Sequence, residues 1–381
     1  MYNERLVMIP GPTPVIKEIR DEMAREIQAF GDPRFVADHK ALIDALGKLL
    51  NCSGKTFVVA GTGTLAMEMS IANSTKRGDR VLIVSHGFFG DRFIEICERK
   101  GLEIDILQSE WGQIVPVATI EEQLAKHQYA AVTVTHVDTS TGVCAPVAEI
   151  GEMMKKFPDT IYIVDGVCAT GAEFEDVDNM NIDILFTGTQ KAFGVCSGLM
   201  MLWASKKAID RRDALGVIPE YYCDFHKWAP IMEDTSKYFA TPAINLIWAL
   251  KKSVEIIERE GGYKAREERH RKNACAMQAA LEVLGFKVLA EKDCRAITLS
   301  NNIYPDGIDC LKFRQTIAGE GVVVAPGLGA YAGKMFRLGH MGNIDVNNEV
   351  VVLGAIERTL DKLGFKGKLG VGVAKYLEMM A

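Results

Sequence analysis

Between about residues 55 and 205 the chain alternates short β-rich runs with helical patterns, and no other feature narrows its fold as far. "KTFVVAG" gives way to "TLAMEMSIANSTK", and "DRVLIVS" to "FGDRFIEICERKG" and then "LEIDIL". "AAVTVTH" leads to "VAEIGEMMKKF", and "TIYIVDG", "IDILFTG" and "GLMMLWAS" close the series. Strands alternating with helices predict a mainly parallel sheet covered by helices on both faces, an α/β architecture. A long helical pattern from about 242 to 284, broken at Gly261-Gly262, crosses into a second and smaller α/β unit. That unit holds "FKVLA", "AITLS" and "VVVAPG" as strands, with helices near "GIDCLKFRQTIAGEG" and 346–363. The 381 residues allow two domains. The expected division is an N-terminal arm over 1–20, a large domain over 21–250 and a small C-terminal domain over 251–381.

Charge and cysteine usage exclude several classes. The formal net charge is −6, and cations are interleaved with acids, as in "KKSVEIIEREGGYKAREERHRK". That pattern reads as solvated helix faces and not as the basic face of a nucleic-acid binder. No run approaches the 18 apolar residues of a membrane span, and the early charges of "MYNERLVMIPGPTP" do not suit a secretory signal. Nine cysteines occur without a CxxC and without zinc spacing. This predicts no metal site and a reducing, cytoplasmic setting in which most thiols are small core residues.

In such sheets ligands bind beyond the carboxyl ends of the strands, so the residues after each apolar run are the ones to inspect. After "FVVA" come Gly61, Thr62, Gly63 and Thr64, opening a helix whose free N–H groups and dipole suit an anion. The segment is neither a dinucleotide fingerprint nor a P-loop, and a plain tight turn is an equal reading. After "VLIVSHG" come Phe88 and Phe89; a phenylalanine here is a ligand wall or, by about two to one, simple core. After "AVTVTH" comes a hydroxyl-rich loop with Thr139, which also reads as an ordinary turn. "TIYIV" ends at Asp165, and "IDILF" runs into Thr187, Gly188, Thr189, Gln190 and Lys191. A lysine pressed between core strands is costly unless paired or deprotonated, and a salt bridge to Asp165 would explain it alone. The combination points further. A phosphate cradle, an aromatic wall, a carboxylate and a lysine at one sheet edge make up the set that pyridoxal phosphate needs.

The chain resembles class V aminotransferases of pyridoxal phosphate fold type I, in the alanine–glyoxylate and serine–glyoxylate (serine–pyruvate) branch. The resemblance runs through "PGPTPV", "AGTGTLAME", "HGFFGDR", "THVDTSTGV", "IVDGV", "TGTQKAF", "KYFATP" and "GLGAYAGKMFRLGHMG". It implies pyridoxal 5′-phosphate as cofactor, with Lys191 as the catalytic Schiff-base lysine and Asp165 as partner of the pyridinium nitrogen. It implies that Thr62, Gly63, Thr64 and Gln190 hold the phosphate, that Phe89 stacks on the ring and that Thr139 contacts its O3′ region. It further implies a homodimer in which Tyr238 and Thr241 reach the neighbouring subunit's phosphate, and that Arg337 binds the substrate carboxylate. The reaction implied is transfer of an amino group from a small amino acid to glyoxylate or pyruvate by ping-pong kinetics. Phe89 stands where relatives carry tryptophan and Thr64 where animal relatives carry histidine. "FGDPRF" at 30–35 replaces a His-Arg turn, which leaves the donor open. A 2-aminoethylphosphonate–pyruvate aminotransferase is the nearer alternative. A cysteine desulfurase-like lyase is disfavoured, because "GLGAYAGKMF" before Arg337 holds no cysteine. Cys294 and Cys310 are expected to be core thiols. His136 and His340 are expected to be structural, and His39 and His86 have no assigned role.

Overall fold

The computed structural model describes residues 5–381. Seven strands form the central sheet. Their order is Lys55–Gly61, Gly198–Ala204, Ile184–Gly188, Ile161–Asp165, Ala131–Thr135, Arg80–Ser85 and Glu103–Gln108. Only Gly198–Ala204 runs against its neighbours, pairing antiparallel on both sides. The remaining pairings are parallel. The inner strands Ala131–Thr135, Ile161–Asp165 and Ile184–Gly188 are buried at every position, which is why they read as unbroken apolar runs in the sequence. Because the parallel strands share a direction, Gly61, Ser85, Thr135, Asp165 and Gly188 all end at one edge. Thr135 is opposite Asp165 in register, and Asp165 is opposite Phe186.

A second, antiparallel sheet orders Lys287–Val288, Leu299–Ile303, Met335–Gly339 and Ala325–Pro326. The expected long helix is two, Ile244–Arg259 and Tyr263–Leu284, separated by Gly261 and Gly262 at φ +106° and +84°. The chain carries two main hydrophobic cores. One runs from Ile19 to Tyr263 around the large sheet, and the other gathers Met8 with residues from Ala276 to Tyr376. The two-residue strand Leu6–Val7 adds in parallel to Val322–Val323, so the N-terminal segment is pinned to the second core.

Three expectations need correction. "AITLS" enters its strand only at Leu299, and "VVVAPG" is split into Val322–Val323 and Ala325–Pro326. A closing helix, Val371–Met380, packs on Tyr263–Leu284; the glycines of "GFKGKLGVGV" hid it. The thiols are less buried than expected. Of the nine free cysteines only Cys97, Cys168, Cys223 and Cys294 are buried, Cys310 is partly exposed and Cys275 is exposed. Cys310 opens the helix Cys310–Gly319, where solvent reaches the first turn.

Candidate active site

The strand ends enclose a cavity of about 200 Å³, walled by Thr62, Gly63, Thr64, Phe89, Thr139, Asp165, Gln190 and Lys191 together. Eight of the eleven site residues expected from sequence therefore meet in one space. The wall also includes Pro12, Arg92, Val167 and Cys168, which the sequence reading did not single out.

Lys191 lies in the turn after Ile184–Gly188. Gly194 N–H closes that turn on Lys191 O at 2.9 Å, and Val195 N–H bonds Thr189 O at 3.0 Å. The lysine does not pair with Asp165. Its Nζ donates to Pro10 O, and Cys168 Sγ lies 3.4 Å away. The Pro10-Gly11-Pro12 turn thus lies directly on the lysine. Thr13 fixes it there, its N–H bonding Gln190 O at 3.0 Å and its hydroxyl bonding Lys191 O at 2.8 Å. From behind, the fully buried Arg266 donates to Ala192 O at 2.7 Å and to Gly171 O at 3.1 Å. The reactive turn is held on two sides.

Asp165 is 3 % exposed. One carboxylate oxygen accepts Val167 N–H at 2.9 Å. Burial pushes its carboxyl up to about 7, and the negative Asp138 nearby adds to this. A cation placed against it would return it to the charged form.

Thr62 caps the helix Gly63–Ser74 without a side-chain bond to it, so the first-turn N–H groups face the cavity end without intrahelical partners. Gln190 Oε1 is buried and unpartnered. Phe89 stands in the first turn of Phe88–Lys100. Asp138 anchors that turn by accepting from Phe89 N at 3.0 Å and Gly90 N at 3.1 Å, while Ser140 Oγ accepts from Phe88 N at 2.9 Å. Thr139 Oγ1 bonds Cys168 Sγ at 2.8 Å.

Three expected residues stand apart from this cavity wall. Arg337 is on Met335–Gly339 opposite Asn301, with Nε donating to Pro326 O at 2.8 Å. Burial lowers its pKa, against the pull of Cys168 and Asp138. Tyr238 is 60 % exposed, and its hydroxyl lies 3.5 Å from Thr241 Oγ1, at the surface of its own chain. His39, His86, His136 and His340 are all buried. His136 pairs with Glu175 at 2.6 Å and His340 with Ser300 at 2.8 Å, while burial drives His39 and His86 down to about 4.

A model of the family described as aminotransferase class-V matches residues 39–342. The chain is a class V aminotransferase. It is 36% identical to an uncharacterized aminotransferase of Methanocaldococcus jannaschii over 98% of this chain and 97% of that one. It is 31% identical to the serine–glyoxylate aminotransferase of Hyphomicrobium methylovorum, over 98% and 93%. The ureidoglycine–glyoxylate aminotransferase structure from Bacillus subtilis superposes with a TM-score of 0.94 at 28% identity, covering 99% and 98%. The architecture is therefore that of fold type I pyridoxal phosphate enzymes, and this aminotransferase uses that cofactor. The cavity fits the group. It offers an amine at Lys191, a buried carboxylate at Asp165, an aromatic wall at Phe89 and a neutral hydroxyl-rich helix end beside the Gln190 amide. No metal-holding cluster of His, Cys, Asp and Glu occurs among the described residues.

Proposed function

We propose that the enzyme moves the amino group of a small amino acid, of alanine or serine type, to glyoxylate or pyruvate. The observation that carries this reading is the meeting of Lys191, Asp165, Phe89 and the Thr62–Gly63–Thr64 helix end around one cavity. Bound pyridoxal 5′-phosphate supplies the electron sink that makes loss of a donor Cα proton accessible. In this reading Lys191 Nζ takes that proton and returns it on the far side of the transfer. The Asp165 carboxylate would hold a cationic ring nitrogen, Phe89 and Val167 would wall the ring, and Thr139 would offer it a hydroxyl. Thr62, Gly63, Thr64 and Gln190 donate to the phosphate. The Pro10–Pro12 turn keeps water from Lys191. Arg337 holds the substrate carboxylate through its guanidinium fork. Donor and acceptor use the same cavity in turn, so ping-pong kinetics are expected.

The exposed placement of Tyr238 and Thr241 supports a homodimer in which both reach a partner's phosphate. The two cores support an arm over 1–20, a large domain and a small one. They favour a boundary at Gly261-Gly262 over the 250–251 division, because Tyr263 still packs with the first core; residues 1–4 of the arm lie outside the described ones. Nine free thiols support a reducing, cytoplasmic setting. Among the described residues no helix is long and apolar enough to cross a membrane.

The test is a spectrum of the purified holoenzyme titrated with alanine, serine, aspartate, 2-aminoethylphosphonate and cysteine. Conversion of the visible band by alanine or serine, and its return with glyoxylate or pyruvate, is the expected result. Conversion by 2-aminoethylphosphonate alone would overturn the donor, and no conversion by any of them would overturn the activity.

A further inference from the structure

Resting on the pyridoxal phosphate reading of this cavity, we infer that Arg92 is a phosphate-binding residue of the site and supplies the countercharge that the helix end lacks. A phosphate monoester carries between one and two negative charges at neutral pH. The groups around the cradle are neutral: the threonine hydroxyls, the backbone N–H groups and the Gln190 amide. Among the described residues only two cations line the cavity, Lys191 and Arg92. Lys191 is committed to the carbonyl end of the cofactor, so the countercharge falls to Arg92.

The placement of Arg92 agrees. It lies one turn after Phe89 on the helix Phe88–Lys100, on the same face. Its Nη1 donates to Thr64 Oγ1 at 3.1 Å, and its guanidinium carbon sits 5.0 Å from the centre of the Phe89 ring. The guanidinium is thus suspended between the aromatic wall and the second residue of the cradle helix. Its neighbour Asp91 is already engaged, accepting from Ser85 Oγ at 2.7 Å and Gln108 Nε2 at 2.8 Å. Arg92 is partly buried and forms no ion pair among the described residues. Of the other partly or fully buried arginines, Arg211 pairs with Asp79, Arg212 with Asp224 and Arg295 with Glu282, while Arg314 and Arg337, which do not line the cavity, also form no ion pair among the described residues. A partly buried guanidinium beside a neutral anion cradle, with its fork still open, is a site prepared for an anion. The hydrogen bond to Thr64 puts that anion at the phosphate end. The carboxylate of a donor amino acid is the competing source of the same chemistry.

The test is binding to cofactor-stripped enzyme, read by quenching of tryptophan fluorescence. Pyridoxal 5′-phosphate and unphosphorylated pyridoxal are compared in wild type, Arg92→Gln and Arg92→Lys. Arg92→Gln should bind the phosphate ester about ten- to a hundredfold more weakly, the size of one charge-assisted hydrogen bond, and bind pyridoxal as wild type does. Arg92→Lys should recover most of the loss, since it keeps the charge. Equal weakening of both aldehydes would overturn the inference in favour of a packing role. An unchanged phosphate ester affinity with a raised KM for alanine and serine in the reconstituted enzyme would overturn it in favour of a donor carboxylate. A wild type that binds neither aldehyde would overturn the cofactor reading itself, a result distinct from a wild type that binds and a variant that binds as tightly.

Discussion

Gly11 lies so close against Lys191 that a Cβ at Gly11 would stand 2.4 Å from the lysine Cδ and 2.8 Å from Nζ. The two residues are 180 positions apart in the chain, yet the reactive amine is covered by a turn from the N-terminus. Gly11 also has φ +94°, where side chains with L chirality cost roughly 1–2 kcal/mol.

Gly11→Ala should therefore act on Lys191 from outside the large sheet. The added methyl must displace either the turn or the lysine, so kcat should fall by about tenfold or more. The pH at which the bound cofactor's visible absorbance titrates should move with it. A variant with wild-type kcat and an unmoved absorbance titration would show that the turn does not constrain the amine.

Asp165→Asn should have opposite effects on activity and on the stability of cofactor-stripped protein. Removing one partner of a buried charge pair costs about 3–5 kcal/mol, so turnover should drop at least a hundredfold. Stability runs the other way. The carboxyl has a folded pKa of about 7, raised from 3.8 by burial. Its contribution is full below pH 4 and is lost as pH rises through 7. Stripped Asp165→Asn should thus melt several degrees above stripped wild type at pH 8, with the gap shrinking as pH falls towards 4. Melting curves at the two pH values check this.

Arg337→Ala should raise KM for both the amino and the oxo acid by about ten- to a hundredfold, while the dissociation constant of the cofactor stays near wild type. Steady-state kinetics beside a cofactor titration separate the two. Loss of cofactor affinity with unchanged KM would remove Arg337 from the substrate site.

Glu349 offers a prediction away from the active site. It is fully buried on Val346–Lys362, accepts Asn273 Nδ2 at 2.9 Å and has a second oxygen with no partner. Burial pushes its carboxyl up to about 8 from 4.5. The stability it provides is present below pH 4.5 and lost as pH rises through 8. Glu349→Gln keeps an acceptor for Asn273 and should raise Tm by a few degrees at pH 8, with little change at pH 4.5. An equal shift at both pH values would assign the effect to packing.

The site was legible where chemistry follows directly on a strand. Asp165 and Lys191 stand out because polar residues after wholly buried runs are few, and parallel strands must end together. Thr62–Thr64 and Phe89 follow the same logic. Arg92 escaped notice because in "GDRFIEICERK" it resembles any solvated helix cation, and its spacing of three from Phe89 was the available signal. Arg337 was reached by resemblance and not by pattern, since its strand belongs to the other core. The cover over Lys191 was invisible for a different reason. A contact between residues 10 and 191 leaves no periodicity in either segment, and only the glycine between two prolines marks the place. Tyr238 and Thr241 were likewise reached by resemblance, since within their own chain they lie at the surface beside each other, with Phe30 5.2 Å from the Tyr238 ring.

The pairing of Leu6–Val7 with Val322–Val323 has a practical side. The first described residues are anchored on one core, while residues 10 to 13 a few positions later cover the amine set in the other. The front of the chain is therefore a strap drawn across the enzyme's mouth and buckled on the opposite side. Cutting it back by a dozen residues would unroof Lys191 and would also take Leu6 and Met8 out of the second core, while the large sheet and its core keep all their members. Such a protein would keep its large sheet and would still have lost its enzyme.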